Sequence, residues 1–128
     1  MTAVFDEAGR ARLQAANIWY VGTVFADGAP QVNPMWVDLE GEGELALNTS
    51  VGRVKEENLR RDPRVYLSHA DAANPFDRVQ ISGEVARFIE GEEARHRHDA
   101  KLFQLCHPLS WVVFCAQHAC SELVVSQL

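Results

Sequence analysis

Short apolar runs separated by turns of two to five residues constrain the fold of this chain more than any other feature of its sequence. The run from Ile18 to Ala26, IWYVGTVFA, is rich in β-branched and aromatic residues, which favour strands. The turn signal ADGAP, which contains Asp27-Gly28, leads into a second extended segment, PQVNPMWVDLE. Turns this short join antiparallel strands, because a parallel crossover needs about a dozen residues or more. The sequence therefore predicts a β-hairpin within an antiparallel sheet.

Further strands are predicted at similar spacing. They are Leu45 to Ser50, RVYLSHA, DRVQISGEVARFIE, and one or two closing strands from WVVFCA and ELVVSQL. A total of about six short strands predicts a mainly β fold, a small β-barrel whose closure removes exposed edges. The first strand is apolar on both faces, which suits the inside of a barrel or a dimer interface. Pro34 has no backbone donor, so we expect a bulge or an unpaired edge at this point of the second strand.

Helices are predicted outside this sheet. The segment from Asp6 to Ala16 lacks strand-like alternation and favours a short helix. Strong helix formers run from Arg53 to Arg61, with Thr49 and Ser50 as candidate caps, and Asp62-Pro63 ends this helix. GEEARHRHDAKLFQL favours a third helix. The barrel should therefore carry two or three peripheral helices.

Length and composition exclude several classes of protein. A chain of 128 residues predicts one domain, residues 1–128, that needs no metal or disulfide to stabilise its core. The net charge of −6 disfavours general nucleic-acid binding, and no apolar run approaches the length of a membrane span. Three cysteines, an odd number clustered at one end, suit reduced thiols. We therefore expect a cytoplasmic protein without nucleic-acid or membrane partners.

One local exception to this acidic character is the stretch NTSVGRVKEENLRRDPRV. Five of the twelve basic residues fall within its residues 53–64: Arg53, Lys55, Arg60, Arg61 and Arg64. A strand end, Gly52, and then a helix starting with Arg53 and Lys55 have the parts of a phosphate site, because free N–H groups and the helix dipole favour an anion there. The other interpretation is a solvated helix face, and the last three arginines suit the helix C-terminus without any ligand.

Metal-ligating and nucleophilic residue types also gather in the C-terminal third. They are His96, His98, Cys106, His107, Cys115, His118 and Cys120. Their spacing is not that of a structural zinc site, so no metal is predicted. A Cys106–His107 pair has no evident orienting acid, and sequence neighbours on a strand or helix point apart. No catalytic residue is identified, which does not count against an enzyme whose cofactor carries the chemistry.

The segment from Val21 to Val85 resembles a known family. Its order of features is a DG hairpin, a proline-containing second strand, a GRxK helix start, NLRRDPRV and an Asn-Pro-aromatic loop. It is similar to the split β-barrel flavin- and deazaflavin-binding proteins related to pyridoxamine 5'-phosphate oxidase, and more closely to the coenzyme F420-dependent oxidoreductases. The resemblance implies a six-stranded antiparallel split β-barrel and a homodimer with two cofactor sites at the subunit interface.

The resemblance also implies a function and a cofactor. The function is hydride transfer from reduced F420 to a small conjugated or heteroaromatic substrate, with FMN as the alternative cofactor. The rival is a flavin carrier or sensor without catalysis. Because F420 continues beyond its phosphate into an acidic glutamyl tail, extra positive charge would favour it over FMN. Arg60, Arg61 and Arg64 are the candidates for that charge, unless the helix directs them elsewhere.

The same resemblance implies site residues. Arg53 and Lys55 would bind the cofactor phosphate, with Asn48, Thr49 and Ser50 beside them. The second strand would follow the ring system and offer backbone groups to its edge, at Val32, Asn33, Pro34 and Met35. Phe76 and Arg78 of the NPFDR loop would reach the cofactor of the other subunit. After Phe88 the chain resembles the family only in having a helix and a closing strand.

Overall fold

The computed structural model describes residues 5–15, 17–40, 43–93 and 120–127. Six strands and two helices are assigned in this part of the chain. In chain order they are α1 (Glu7–Gln14), β1 (Ile18–Val24), β2 (Pro30–Glu40), β3 (Glu44–Ser50), α2 (Val54–Arg61), β4 (Arg64–Ala70), β5 (Arg78–Glu90) and β6 (Cys120–Gln127).

The strands form one antiparallel sheet that closes on itself in the order β1-β2-β3-β6-β5-β4. The ring closes where β4 pairs with β1, with Val21 opposite Leu67. The long strand β5 pairs with β4 over its first half and with β6 over its second half, and a register shift between Val85 and Arg87 marks a bulge. The predicted mainly β barrel is confirmed. The predicted strand WVVFCA and nearly all of the third predicted helix lie outside the described residues.

The first hairpin forms where the sequence predicts it. Gly28 has a φ of 88°, in the left-handed region that glycine adopts without a steric penalty. The Phe25 N–H donates to the Ala29 carbonyl at 2.8 Å, which closes the turn. Across the hairpin β1 and β2 pair without a register shift, and Tyr20 lies opposite Pro34.

The bulge that we considered at Pro34 is therefore wrong, but the unpaired edge is confirmed. Residues 30–36 of β2 pair with β1 on one side, whereas β3 pairs with β2 only from Val37 onward. On its second side this part of β2 has no strand partner among the described residues. Proline is tolerated on such an edge because its missing N–H breaks no ladder hydrogen bond.

The core lies inside the barrel and follows the period-2 alternation of the strands. In β1, Trp19 and Val21 are buried, whereas Ile18 and Tyr20 face outward and are exposed. The buried apolar residues form one cluster: Leu13, Trp19, Val21, Val37, Leu45, Leu47, Leu59, Val65, Leu67 and Ile81. The two apolar faces of the first strand thus have different surroundings, a packed core on one side and an open surface on the other.

The two described helices cap this core. α1 begins after Asp6, whose carboxylate accepts the Gly9 N–H at 2.7 Å, and the helix buries Leu13. α2 begins after Arg53 and has no side-chain cap, so the predicted capping by Thr49 or Ser50 is wrong. No helix in the described ranges has both the length and the apolar character that crossing a membrane requires.

Candidate anion-binding site

The barrel is split between β2 and β3. The two strands pair from Val37, opposite Leu47, to Glu40, opposite Glu44, and they part before Val37 in β2 and after Leu47 in β3. Past the split, β3 continues to pair with β6 through residues 48–50, while residues 30–36 of β2 continue to pair with β1. The predicted site segments 32–35 and 48–50 therefore lie on the two sides of one break in the barrel.

The four predicted residues of β2 do not share a face. Val32 and Pro34 are exposed, whereas Asn33 is half-buried and Met35 packs against the core. Because side chains alternate along a strand, only the backbone edge of this segment can contact one ligand continuously. That edge is the one that β3 leaves unpaired.

On the other side of the split, β3 leads into α2 through a tight turn. Asn48 and Ser50 are half-buried, and Thr49 is buried. Gly52 has a φ of 83°, and its N–H donates to Glu56 Oε2 at 3.2 Å. The Arg53 N–H donates to the Ser50 carbonyl at 3.2 Å. The amides of residues 52 and 53, which the sequence interpretation left open for an anion, are therefore used within the turn.

The next three backbone amides, those of residues 54–56, are the donors available to a ligand at the N-terminus of α2. The Glu57 N–H donates to the Arg53 carbonyl at 3.0 Å and is the first to have a partner four residues back. The N–H groups of residues 54–56 precede it, and no side chain caps them. They point out of the helix N-terminus, where its dipole favours negative charge.

Two cations at this terminus have no counter-ion in the part of the chain that the structure describes. Arg53 is exposed and Lys55 is half-buried. Burial and the nearby charge of Arg53 both lower the pKa of Lys55. Neither side chain has a hydrogen bond or ion pair to any other described residue. An anion here would relieve the repulsion between them.

Thr49 differs from Asn48 and Ser50 in its surroundings. Its side chain is buried, yet its hydroxyl has no hydrogen-bond partner within the described part of the chain. By strand alternation Thr49 shares a face of β3 with the buried residues Leu45 and Leu47, so its hydroxyl lies on the core side of the strand. The uncapped helix and the two cations that have no counter-ion among the described residues together fit a phosphate.

The arginines at the other end of α2 have different partners. Arg60 pairs with Glu56 and with Glu90 of β5, and its guanidinium lies over the ring of Phe88 at 4.1 Å. Carboxylate partners raise the pKa of this arginine. Through these contacts Arg60 stabilises the packing of α2 against β5.

The other two arginines of this group are also bonded within the chain. Arg61 donates to the Val24 carbonyl at 2.7 Å and to Asn58 Oδ1 at 3.0 Å. Arg64 pairs with Asp62 at 2.7 Å, and its hydrogen bonds lower the pKa of that carboxyl to about 2. Arg60, Arg61 and Arg64, which we considered as extra positive charge for an acidic cofactor tail, are therefore bonded to other residues of the fold.

The Arg78 side chain resembles those of Arg53 and Lys55 in having no hydrogen bond or ion pair to another described residue. It begins β5 opposite Ala70, directly after the loop that carries Phe76, and the Phe76 side chain is 91% exposed. The loop is fixed internally, since Asp71 Oδ1 accepts the Ala73 N–H at 2.8 Å. An ordered turn therefore keeps the Phe76 side chain exposed to solvent.

The structure does not bring this loop to α2 within one chain. The loop follows β4, where His69 Nδ1 lies 2.9 Å from the Ile18 carbonyl at the start of β1. In contrast, α2 bonds through Arg61 to Val24 at the other end of β1. Phe76 and Arg78 thus lie at the opposite end of the hairpin from Arg61, and their role toward a second subunit stays a prediction.

A groove that the sequence interpretation missed lies on the outer face of the sheet. It has a volume of about 450 Å³ and crosses β1, β2, β4 and β5. Its lining residues are Tyr20, Gly22, Val32, Tyr66, Leu67, Ser68, Gln80, Ile81 and Ser82. Most of them are the outward members of alternating strands, so the period-2 pattern was the signal that could have found them.

No group of three or more His, Cys, Asp or Glu in the described ranges is arranged to hold a metal ion. Six residues of the C-terminal Cys and His group, from His96 to His118, lie outside those ranges. Cys120 begins β6.

Comparison with known proteins places this geometry in a family. The profile described as Pyridoxamine 5'-phosphate oxidase matches residues 5–106. None of the curated proteins compared with the chain matches it significantly.

Among solved structures, an F420 reductase aligns with a TM-score of 0.79 and 24% identity over 97% of this chain and 96% of its own. A conserved hypothetical protein of Mycobacterium tuberculosis aligns with a TM-score of 0.68 and 25% identity, over 98% of this chain and 81% of its own. An FMN-binding protein of Syntrophomonas wolfei aligns with a TM-score of 0.71 and 13% identity, over 93% and 79%. With most of its length matched by one family profile, the chain belongs to the pyridoxamine 5'-phosphate oxidase family.

Proposed function

We propose that this protein is an oxidoreductase that binds coenzyme F420, or FMN, through its phosphate and transfers hydride to a small conjugated or heteroaromatic substrate. The observation that carries the proposal is a pair of cations, Arg53 and Lys55, that have no ion pair among the described residues. They lie at the uncapped N-terminus of α2, beside the split between β2 and β3. Membership of the family and the fold match to an F420 reductase support it.

The residues on the α2 side of the split fit the phosphate. Arg53 and Lys55 supply charge-assisted hydrogen bonds, and the amides of residues 54–56 supply neutral donors. Asn48 and Ser50 border this group at the end of β3.

The β2 side of the split fits the ring system. Within the described ranges, the second edge of β2 at residues 32–35 has no strand partner. Pro34 can only accept a hydrogen bond there, because it has no N–H. When bound, the cofactor supplies the hydride chemistry, and the protein supplies binding, orientation and exclusion of water. This division explains why a catalytic triad is not needed.

FMN is the second candidate, and one observation favours it. FMN ends in a single phosphate, whereas F420 carries further acidic groups beyond its phosphate. Since Arg60, Arg61 and Arg64 are bonded within the fold, Arg53 and Lys55 are the cations of this stretch that can meet a ligand. That charge matches one phosphate group.

The proposal includes a homodimer with the cofactor sites at the subunit interface. The outer face of the sheet supports this part, because Ile18, Tyr20, Val32 and Tyr66 are large apolar or aromatic residues with roughly half of their surface exposed. Apolar groups gathered around a groove on one face are typical of an interaction surface. Phe76 and Arg78 would then reach the site of the partner.

The test begins with the molecule that co-purifies with the protein. Its mass and absorption spectrum should identify F420 or FMN, and the apoprotein should rebind that cofactor. Turnover is then measured with a panel of enones and quinone-like acceptors. Binding without turnover of any acceptor would favour the flavin carrier or sensor, and failure to bind either cofactor would refute the proposal.

A further inference from the structure

A buried polar network joins α2 to the β1–β2 hairpin, and none of the site assignments above uses it. Its centre is Asn58, which is 2% exposed. Asn58 Nδ2 donates to Thr23 Oγ1 at 3.1 Å and to Gln31 Oε1 at 3.2 Å. Thr23 and Gln31 are register partners in β1 and β2, and the Thr23 hydroxyl donates to Gln31 Oε1 at 3.2 Å. One amide therefore binds both strands of the hairpin.

The orientation of this amide is fixed by Arg61. The guanidinium Nη2 donates to Asn58 Oδ1 at 3.0 Å and to the Val24 carbonyl at 2.7 Å. Because a guanidinium can only donate, the amide oxygen must face it and the amide nitrogen must face the hairpin. Buried polar groups that are fully paired in this way favour one packing arrangement over its alternatives. The network thus specifies a single placement of α2 on the hairpin.

The position of the network links the two sides of the candidate site. Asn58 lies three residues after Lys55, within one turn of α2, and Gln31 immediately precedes Val32 at the open edge of β2. A shift of α2 against β2 would therefore change the separation between the phosphate donors and the ring-binding edge.

We propose that Asn58 is a positioning residue that sets this separation, so that one cofactor molecule can engage both sides of the split. The inference rests on the proposed function. A phosphorylated flavin has a limited reach from ring to phosphate, and a small misplacement of one binding group loses much of its contribution. A helix that is held in register by Asn58 keeps Arg53 and Lys55 within that reach.

This role differs measurably from that of a simple core residue. Loss of a core contact lowers stability and weakens binding of every ligand alike. Loss of a positioning contact weakens the phosphate-bearing ligand and leaves the ring-only ligand nearly unaffected. The ratio of the two dissociation constants, here called the phosphate selectivity, separates the two roles.

The experiment measures this selectivity by fluorescence titration of the full-length apoprotein with FMN and riboflavin, and with F420 and its phosphate-free ring-and-ribityl fragment. The variants are Asn58→Ala and the nearly isosteric Thr23→Val, which removes one acceptor of the network and keeps the core shape. Val65→Ala, a buried change on β4, is the matched control for lost packing. Urea denaturation checks that each variant is folded.

The expected result is a selectivity lower by about tenfold in Asn58→Ala, with a smaller change in the same direction in Thr23→Val, and wild-type selectivity in Val65→Ala. Lys55→Ala should also cost less affinity in the Asn58→Ala background than in the wild type, because the displaced helix no longer places Lys55 at the phosphate. Equal losses of affinity for the phosphate-bearing and the phosphate-free ligand of a pair would overturn the positioning role. So would fully additive losses of affinity from Lys55→Ala and Asn58→Ala. A wild type that binds both members of each pair equally would instead refute the phosphate site.

Discussion

Arg60 lies over the ring of Phe88, with its guanidinium carbon 4.1 Å from the ring centroid, and it also pairs with the buried carboxylate of Glu56. Glu56 is 2% exposed and accepts the Gly52 N–H, so this one carboxylate holds both the turn before α2 and the side chain that anchors α2 to β5. The shape of the candidate anion site thus depends on an ion pair that does not itself face the site.

We expect Arg60→Ala to destabilise the protein by about 2–3 kcal/mol, because it leaves Glu56 buried without its cation. The value lies below that of a fully buried pair, since Arg60 is 41% exposed and water can reach it. Chemical denaturation measures the change. Arg64→Ala, which removes an exposed pair with Asp62, is the matched control and should have a much smaller effect. A second change, Glu56→Gln, should recover part of the stability lost in Arg60→Ala.

Lys55→Met should change affinity and stability in opposite directions. Cofactor binding should weaken about tenfold or more, because a charge-assisted hydrogen bond to phosphate is lost. The apoprotein should become slightly more stable, since burial and Arg53 both disfavour the charge of Lys55. Titration calorimetry and urea denaturation measure the two effects, and Arg87→Met, which removes a cation paired with Glu44, is the control. An unchanged dissociation constant in a variant with both Arg53 and Lys55 replaced by alanine would disprove the site.

Local signals in the sequence were sufficient to predict the first hairpin and α2. Runs of β-branched residues, the Asp27-Gly28 turn and the Asp62-Pro63 stop each act within a few residues of the chain. The free edge at Pro34 was predictable for the same reason, because the missing N–H belongs to that residue alone.

Contacts between residues distant in sequence could not be predicted from such local signals. Arg60 meets Glu90 across 30 residues, and Arg61 meets the Val24 carbonyl across 37. The split between β2 and β3 depends on where β3 changes from two strand partners to one, which only the closed barrel determines. For this reason the sequence indicated five clustered cations but did not show which of them the fold leaves available for a ligand.

The lowered pKa of Lys55 predicts a pH dependence of stability. Its folded pKa lies below the value of 10.5 for the free side chain, owing to burial and then to the charge of Arg53. Between the folded and unfolded pKa values the unfolded state binds more protons, so this residue makes stability rise as the pH rises through that window. Below the folded pKa, the free energy by which the charged Lys55 destabilises the folded state does not change with pH.

The measurement compares urea denaturation of the wild type and Lys55→Met from neutral pH upward. The difference in unfolding free energy should narrow as the pH approaches 10.5. A difference that stays constant with pH would show that Lys55 is not perturbed. With cofactor bound, the difference in unfolding free energy should no longer narrow as the pH rises. A phosphate beside Lys55 favours the protonated amine and raises the pKa of Lys55 again.

The exposed apolar residues on the outer face of the sheet predict that the protein assembles through this face. Tyr66 is 52% exposed and Val32 is 60% exposed on either side of Gly22, to which both are register partners. If this face is the dimer interface, Tyr66→Glu should place a charge in an apolar contact and convert a dimer into a monomer in sedimentation velocity. The monomer should also bind cofactor more weakly, because Phe76 and Arg78 of the second subunit would no longer reach the site. Glu84→Gln, a change on an exposed strand position opposite Arg64, is the control and should leave the dimer intact. A wild-type protein that sediments as a monomer while saturated with cofactor would contradict both the interface and the shared site.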